Sequence, residues 1–103
     1  MFSIIFITTA NKKEARKIAS GLLKAKLAAC VNIVGKIESH FRWQGKLECS
    51  KEFLLLVKTK KNILPRVIKL VKSLHSYEVP EIIALPIIAG EKKYLDWIDE
   101  SLG

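Results

Sequence analysis

The sequence predicts an α+β protein: a ferredoxin-like βαββαβ antiparallel sheet with an additional C-terminal helix and a long hairpin between its second and third strands. Three observations carry this. Short apolar and β-branched runs at residues 2–9, 28–34, 53–59 and 82–88 read as strands. Segments with apolar residues at helical spacing separate the first strand from the second and the third from the fourth, and another follows the fourth. The dipeptide Gln44-Gly45 divides an arm over 28–43 from an arm over 47–59. Each arm is about twice the usual strand length of ~5–6 residues. With 103 residues, the chain reads as one domain, 1–103.

Phe2 to Thr9 is apolar at successive positions, which marks a buried, central strand. Asn11 is a good N-cap, and Glu14 three residues later completes a capping-box-like pattern. Ala15, Ile18, Ala19, Leu22 and Leu23 form the buried stripe of that helix. Gly21 within it costs about 1 kcal/mol against Ala, which a close packing contact would explain. The second strand runs over 28–34, breaks at Gly35 in a bulge or bend, and resumes from Ile37 to Trp43. Gly45 supplies a positive φ for the turn. The polar segment Glu48 to Glu52 could carry an irregularity of its own before the apolar run Phe53–Thr59. Asn62 is expected to cap a second helix with Pro65 in its first turn. Leu64, Val67, Ile68, Val71 and Leu74 form its apolar face, and it ends near His75. Ile82 to Ile88 is the fourth strand, and Pro86 places it at an edge or a bulge. Glu91 to Leu102 reads as a short amphipathic helix.

The strands are apolar on both faces, so two helices on one face leave the other uncovered. A soluble monomer would then expose a large apolar patch, and the projecting hairpin would be an open edge. Both features predict a homo-oligomer. The net charge of +8 comes from 18 Lys and Arg against 10 Asp and Glu, spread along the chain, with a net acidic stretch from Glu91 to Glu100. No nucleic-acid partner is expected: an RNA-recognition domain would need a Lys/Arg-Gly-aromatic motif where Lys51 to Val57 stands. No membrane partner is expected either, since no run approaches the ~18 apolar residues of a span. Two cysteines do not make a disulfide scaffold, and a cytoplasmic location is the default expectation.

No phosphate loop, nucleophile elbow or zinc-protease motif is present, and no enzymatic activity is expected. Cys30 is either a small buried hydrophobe or a thiolate ligand. His75, at a helix end, either hydrogen-bonds terminal carbonyls or ligates a metal. Glu78 and Glu81 nearby offer carboxylate oxygens. One Cys and one His do not complete a site, so a third ligand would come from a carboxylate, water or another subunit. His40 alternates outward with charged residues and reads as surface. Lys46, Glu48, Glu52 and Lys58 read as ion pairs across the hairpin or as the lining of a polar cleft.

Three ordered motifs then converge: Leu27-Ala28-Ala29-Cys30-Val31-Asn32; Trp43-Gln44-Gly45-Lys46-Leu47-Glu48 with Glu52 and Val57-Lys58-Thr59; and His75-Ser76-Tyr77-Glu78-Val79-Pro80-Glu81 with Tyr94-Leu95 and Trp97. Through them the chain resembles the CutA divalent-cation-tolerance family over essentially its full length. The resemblance implies a homotrimer whose hairpins extend the sheets between subunits, similar to the PII signalling proteins, with ligand sites in the intersubunit clefts. It implies Cu(II) or another exchangeable divalent cation as the ligand. Metal ligands are then expected at Cys30, His75 and Glu81, and cleft residues at Trp43, Lys46, Glu48, Glu52, Lys58 and Tyr77. Ser76 stands where many members have Pro, and Cys49 lies outside the pattern. The alternative expectation is a PII-like regulator that binds a small anionic ligand in the same clefts through Lys46, Lys58 and the helix ends.

Overall fold

The structure, a computed structural model, describes residues 1–103. It is an α+β arrangement of a four-stranded antiparallel sheet and three helices. In chain order these are β1 (Phe2–Thr9), α1 (Lys12–Lys24), β2 (Cys30–Trp43), β3 (Lys46–Lys60), a 3-10 turn (Lys61–Ile63), α2 (Leu64–Leu74), β4 (Ile82–Pro86) and α3 (Lys92–Ser101). The strand order is β2-β3-β1-β4, so β1 pairs on both sides, as its continuous apolar run requires. β4 takes an edge. Pro86, which cannot donate to a ladder, sits there at the strand's last position. The strand stops at Pro86 rather than Ile88, although the Ile87 amide still bonds the Phe2 carbonyl.

Side-chain alternation sorts the sheet into two faces. Ile5 and Ile7 of β1 sit opposite Val57 and Leu55 of β3, which in turn pair with Val31 and Ile33 of β2. This face is covered by Ala15, Ile18, Ala19 and Leu22 of α1 and by Val67 and Val71 of α2. Each large aliphatic side chain fully buried there contributes about 1.5–3 kcal/mol. Leu23, expected in the stripe, is instead half-exposed. Gly21 packs against α2: a Cβ there would stand 3.2 Å from Leu74 Cδ1.

The caps follow the sequence in part. Asn11 Oδ1 accepts from the Glu14 amide at 2.8 Å. The Glu14 carboxylate does not close the capping box but lies 3.5 Å from His75 Nδ1. Asn62 falls inside the 3-10 turn, and Ile63 precedes α2 without any side-chain cap. Pro65, within the first turn, carries no amide hydrogen to leave unpaired.

The hairpin departs from simple alternation at one place. Gly35 pairs with Phe53, but Ile37 pairs with Glu52, so Lys36 is an extra residue on β2. β3 runs without interruption; the polar segment Glu48–Glu52 carries no irregularity of its own. Upstream of the bulge, Val31 and Ile33 face the helices. Downstream, Ile37, Ser39, Phe41 and Trp43 share the opposite face with Glu52, Ser50, Glu48 and Lys46. The turn places both Gln44 (φ 49°) and Gly45 (φ 77°) in the left-handed region, as a type I′ hairpin requires. β1 reaches only to Phe53 of β3. Residues 46–52 therefore pair with β2 alone, in a ribbon extending about 24 Å at ~3.4 Å per residue.

The face away from α1 and α2 is only partly covered. α3 packs over its end, where Lys60 pairs with Asp99 and Ile98 is fully buried. Ile83, opposite Phe6 on this face, remains 52% exposed. A direct test of the bulge is Gly35→Ala. A Cβ there would lie 2.0 Å from the Phe53 ring, so the aromatic ring must leave its place. Chemical denaturation should show a loss of about 1–3 kcal/mol, the usual cost of overpacking.

Candidate functional site

The first residue of β3 beyond the reach of β1 is Glu52, which is buried, at 6% exposure. Alternation along β3 points it toward the open face, and the bulge in β2 brings Ile37 opposite it, with Ser39 one pair further on. Its partner comes from the loop after α2: the Tyr77 hydroxyl donates to Glu52 Oε2 at 2.6 Å. That hydrogen bond keeps a desolvated carboxylate from being left unpaired.

His75 holds the loop in position. Its Nε2 lies 2.7 Å from the Thr8 carbonyl, which can only accept, so Nε2 carries the hydrogen. Nδ1 accepts from the Tyr77 amide at 3.0 Å. The imidazole is fully buried, and its ring packs on Tyr77 with centroids 4.7 Å apart. In this arrangement neither ring nitrogen has a lone pair free for a metal.

Between the arm and this loop lies a cleft of ≈ 740 Å³, a size suited to a small ligand. Ser39, His40, Phe41, Trp43, Ser50 and Glu52 line it from the hairpin, and Tyr77, Glu78 and Glu81 from the loop. Three carboxylates line it, and no Lys or Arg does. Burial raises the Glu81 carboxyl above its ordinary range, and the Glu52 charge raises it further. Burial raises the Tyr77 phenol as well, followed by its hydrogen bond to Glu52 and the charges of Glu52 and Glu14. Both shifts have the sign expected where negative charge accumulates.

The structure therefore brings together Trp43, Glu52, Tyr77 and Glu81 of the expected set. Lys46 and Glu48 lie further out on the arm and do not line the cleft. Lys58 is elsewhere, with its Nζ 3.9 Å from Cys30 Sγ, and the Tyr94 phenol is raised by burial and by that same thiol. Cys30 and His75 are not brought together within one chain. Cys30 pairs with Lys58, whereas His75 contacts Thr8, which pairs with Leu54. The two rows are four β3 residues apart, about 13 Å.

The other face of the arm carries Glu38, His40 and Cys49, a grouping the sequence reading missed. The signal was present. A two-residue turn at Gln44-Gly45 pairs Trp43 with Lys46, and counting outward pairs His40 with Cys49.

These features define a class: a small α+β protein whose hairpin arm and α2–β4 loop enclose an acidic cleft. The sequence model of the CutA1 family, described as divalent ion tolerance proteins, matches residues 3–101. The divalent-cation tolerance protein CutA of Thermus thermophilus is 48% identical over 103 residues, covering 100% of both chains. Its solved structure superposes with a TM-score of 0.97. The Archaeoglobus fulgidus CutA is also 48% identical, over 99% of both chains, and a structure described as its periplasmic protein gives a TM-score of 0.95 over 98% of both chains. Human CutA is 42% identical over 93% of this chain, which spans 54% of that longer protein. The chain belongs to the CutA1 divalent ion tolerance family.

The electrostatics of the cleft predict a pH effect. Folding raises the Glu81 pKa, so the folded state holds this proton more tightly than the unfolded chain. The resulting penalty is absent below the unfolded value and complete above the folded one. Glu81→Gln should thus raise the melting temperature at neutral pH, and the gain should vanish as pH falls through the glutamate range. Thermal scans by circular dichroism from pH 3 to pH 8 measure this.

Proposed function

We propose that this chain is a homotrimeric divalent-cation-binding protein, with Cu(II) among its ions, that holds the ion exchangeably in the cleft rather than turning over a substrate. The observation that carries this reading is the lining: Glu52, Glu78 and Glu81 with no Lys or Arg. A cation at these oxygens would relieve the Glu52 repulsion that adds to the effect of burial on Glu81. Among divalent first-row ions, Cu(II) has the highest intrinsic affinity for such donors. An open cleft lets the ion exchange with solvent. The anionic-ligand alternative loses its support, because Lys46 and Lys58 do not border the cleft and an anion would meet three carboxylates.

The trimer rests on the uncovered sheet face and on the arm. In a ferredoxin-like subunit of this shape, a two-stranded ribbon without a third strand is marginal on its own. Exposed Phe41, Trp43 and Leu47 on the arm and Ile83 on the sheet are the side chains a neighbouring subunit would cover. A cleft at the base of the arm would then border a subunit junction.

Calorimetric titration with Cu(II), Mn(II) and ATP tests the ligand. The cleft should take both metals. Glu52→Gln/Glu81→Gln should weaken Mn(II), an oxygen-seeking ion, at least about tenfold. Unchanged Mn(II) binding in that variant, or ATP binding tighter than either metal, rules the reading out. Sedimentation equilibrium at micromolar concentration should return three times the mass of one chain; a monomer there would refute the assembly.

A further inference from the structure

The hairpin arm has two faces, and the cleft is lined mainly from one, with His40 alone bordering it from the other. On the other, His40 and Cys49 are direct cross-strand partners, and Glu38 is two residues from His40 on the same side. One ligand atom from each of the three lies within 4.8 Å of the other two. His40 Nε2 is 2.6 Å from Glu38 Oε1 and 3.8 Å from Cys49 Sγ. With metal bonds of about 2.0–2.3 Å, the ligand atoms of a tetrahedral ion stand roughly 3.3–3.8 Å apart. The thiol–imidazole spacing already suits that geometry, and the carboxylate needs only a small side-chain rotation to make room.

We propose that Glu38, His40 and Cys49 form a second metal site on the arm, separate from the acidic cleft and selective for Zn(II)-like ions. The ligand chemistry makes the distinction. A thiolate, an imidazole and one carboxylate favour Zn(II), Co(II) or copper over Mg(II), Ca(II) and Mn(II), whereas the three cleft carboxylates offer oxygen. The two strands carrying the ligands are held in register by the β2–β3 ladder, so the site is largely organised before the ion arrives. All three residues are exposed in the single subunit, leaving the fourth position to water. Glu38 and thiolate Cys49 together balance the charge of one divalent ion. Lys51, the cross-strand partner of Glu38, and Arg42 are the cations on the same face. They limit the site to one ion by opposing further positive charge.

Co(II) titration of the full chain followed by absorbance provides the test, because thiolate-to-Co(II) charge transfer reports sulfur ligation directly. The expected result is a near-ultraviolet charge-transfer band saturating at one Co(II) per chain and bleached by Zn(II). Cys49→Ser should abolish the band. His40→Ala should raise the Co(II) concentration needed more than about a hundredfold, beyond the ~10–100-fold of an outer-shell change. Cys30→Ser and Glu52→Gln/Glu81→Gln should leave it intact, which separates this site from the cleft. Absence of a band in the wild-type chain, its survival in Cys49→Ser, or its loss in Cys30→Ser overturns the proposal.

Discussion

One extra residue in the second strand governs the functional geometry. Alternation along β2 would keep its odd-numbered residues against the helices throughout. Lys36 breaks that rule. Val31 and Ile33 stay in the core, while Ser39, Phe41 and Trp43 turn to the opposite face and Glu38 and His40 take the helix side. The cleft and the Glu38–His40–Cys49 group both depend on this change of face. Gly35 permits it, because the Phe53 ring occupies the space any larger side chain would need. A packing constraint between two residues thus decides which chemistry each face of the arm carries.

The second controlling element is the loop after α2. His75 ties it to β1 through the Thr8 carbonyl and to itself through the Tyr77 amide. Tyr77 then reaches across to Glu52. A buried imidazole braces the loop, and a phenol spans the gap between loop and sheet. The carboxylates gathered there create negative potential on a chain whose net charge is +8. Local arrangement prevails because exposed charges further than about 8–10 Å away are largely screened, while those within the cleft are not.

Much of the fold was legible from local pattern. The central position of β1 followed from its unbroken apolar run, the type of turn from Gln44-Gly45, and the edge position of β4 from Pro86. The break at Gly35 was also visible, although its consequence for the faces was not. Errors arose where two local rules competed. Asn62 is a good cap by composition, but the chain leaves β3 through a 3-10 turn and starts α2 two residues later. Glu14 matches a capping box, yet its carboxylate points to His75 because α2 ends beside α1. Of the expected site residues, Trp43, Glu52, Tyr77 and Glu81 border one cleft. Lys58 and Cys30 were grouped with them by motif, and the strand register places that pair at the far end of the sheet.

By itself, the sequence determined which residues each strand and helix could bury, where the arm turns, and which family the chain resembles, because periodicity and turn chemistry act over a few neighbouring residues. Only the tertiary structure decided that Glu52 meets Tyr77 and Glu81, that His75 spends both ring nitrogens on the backbone, and that His40 faces Cys49. Apart from the local bond between His75 and the Tyr77 amide, those contacts join residues 9 to 67 positions apart. They follow from strand register, one bulge and the packing of α2 beside β1, and each of these is settled by the whole fold together rather than by any single segment.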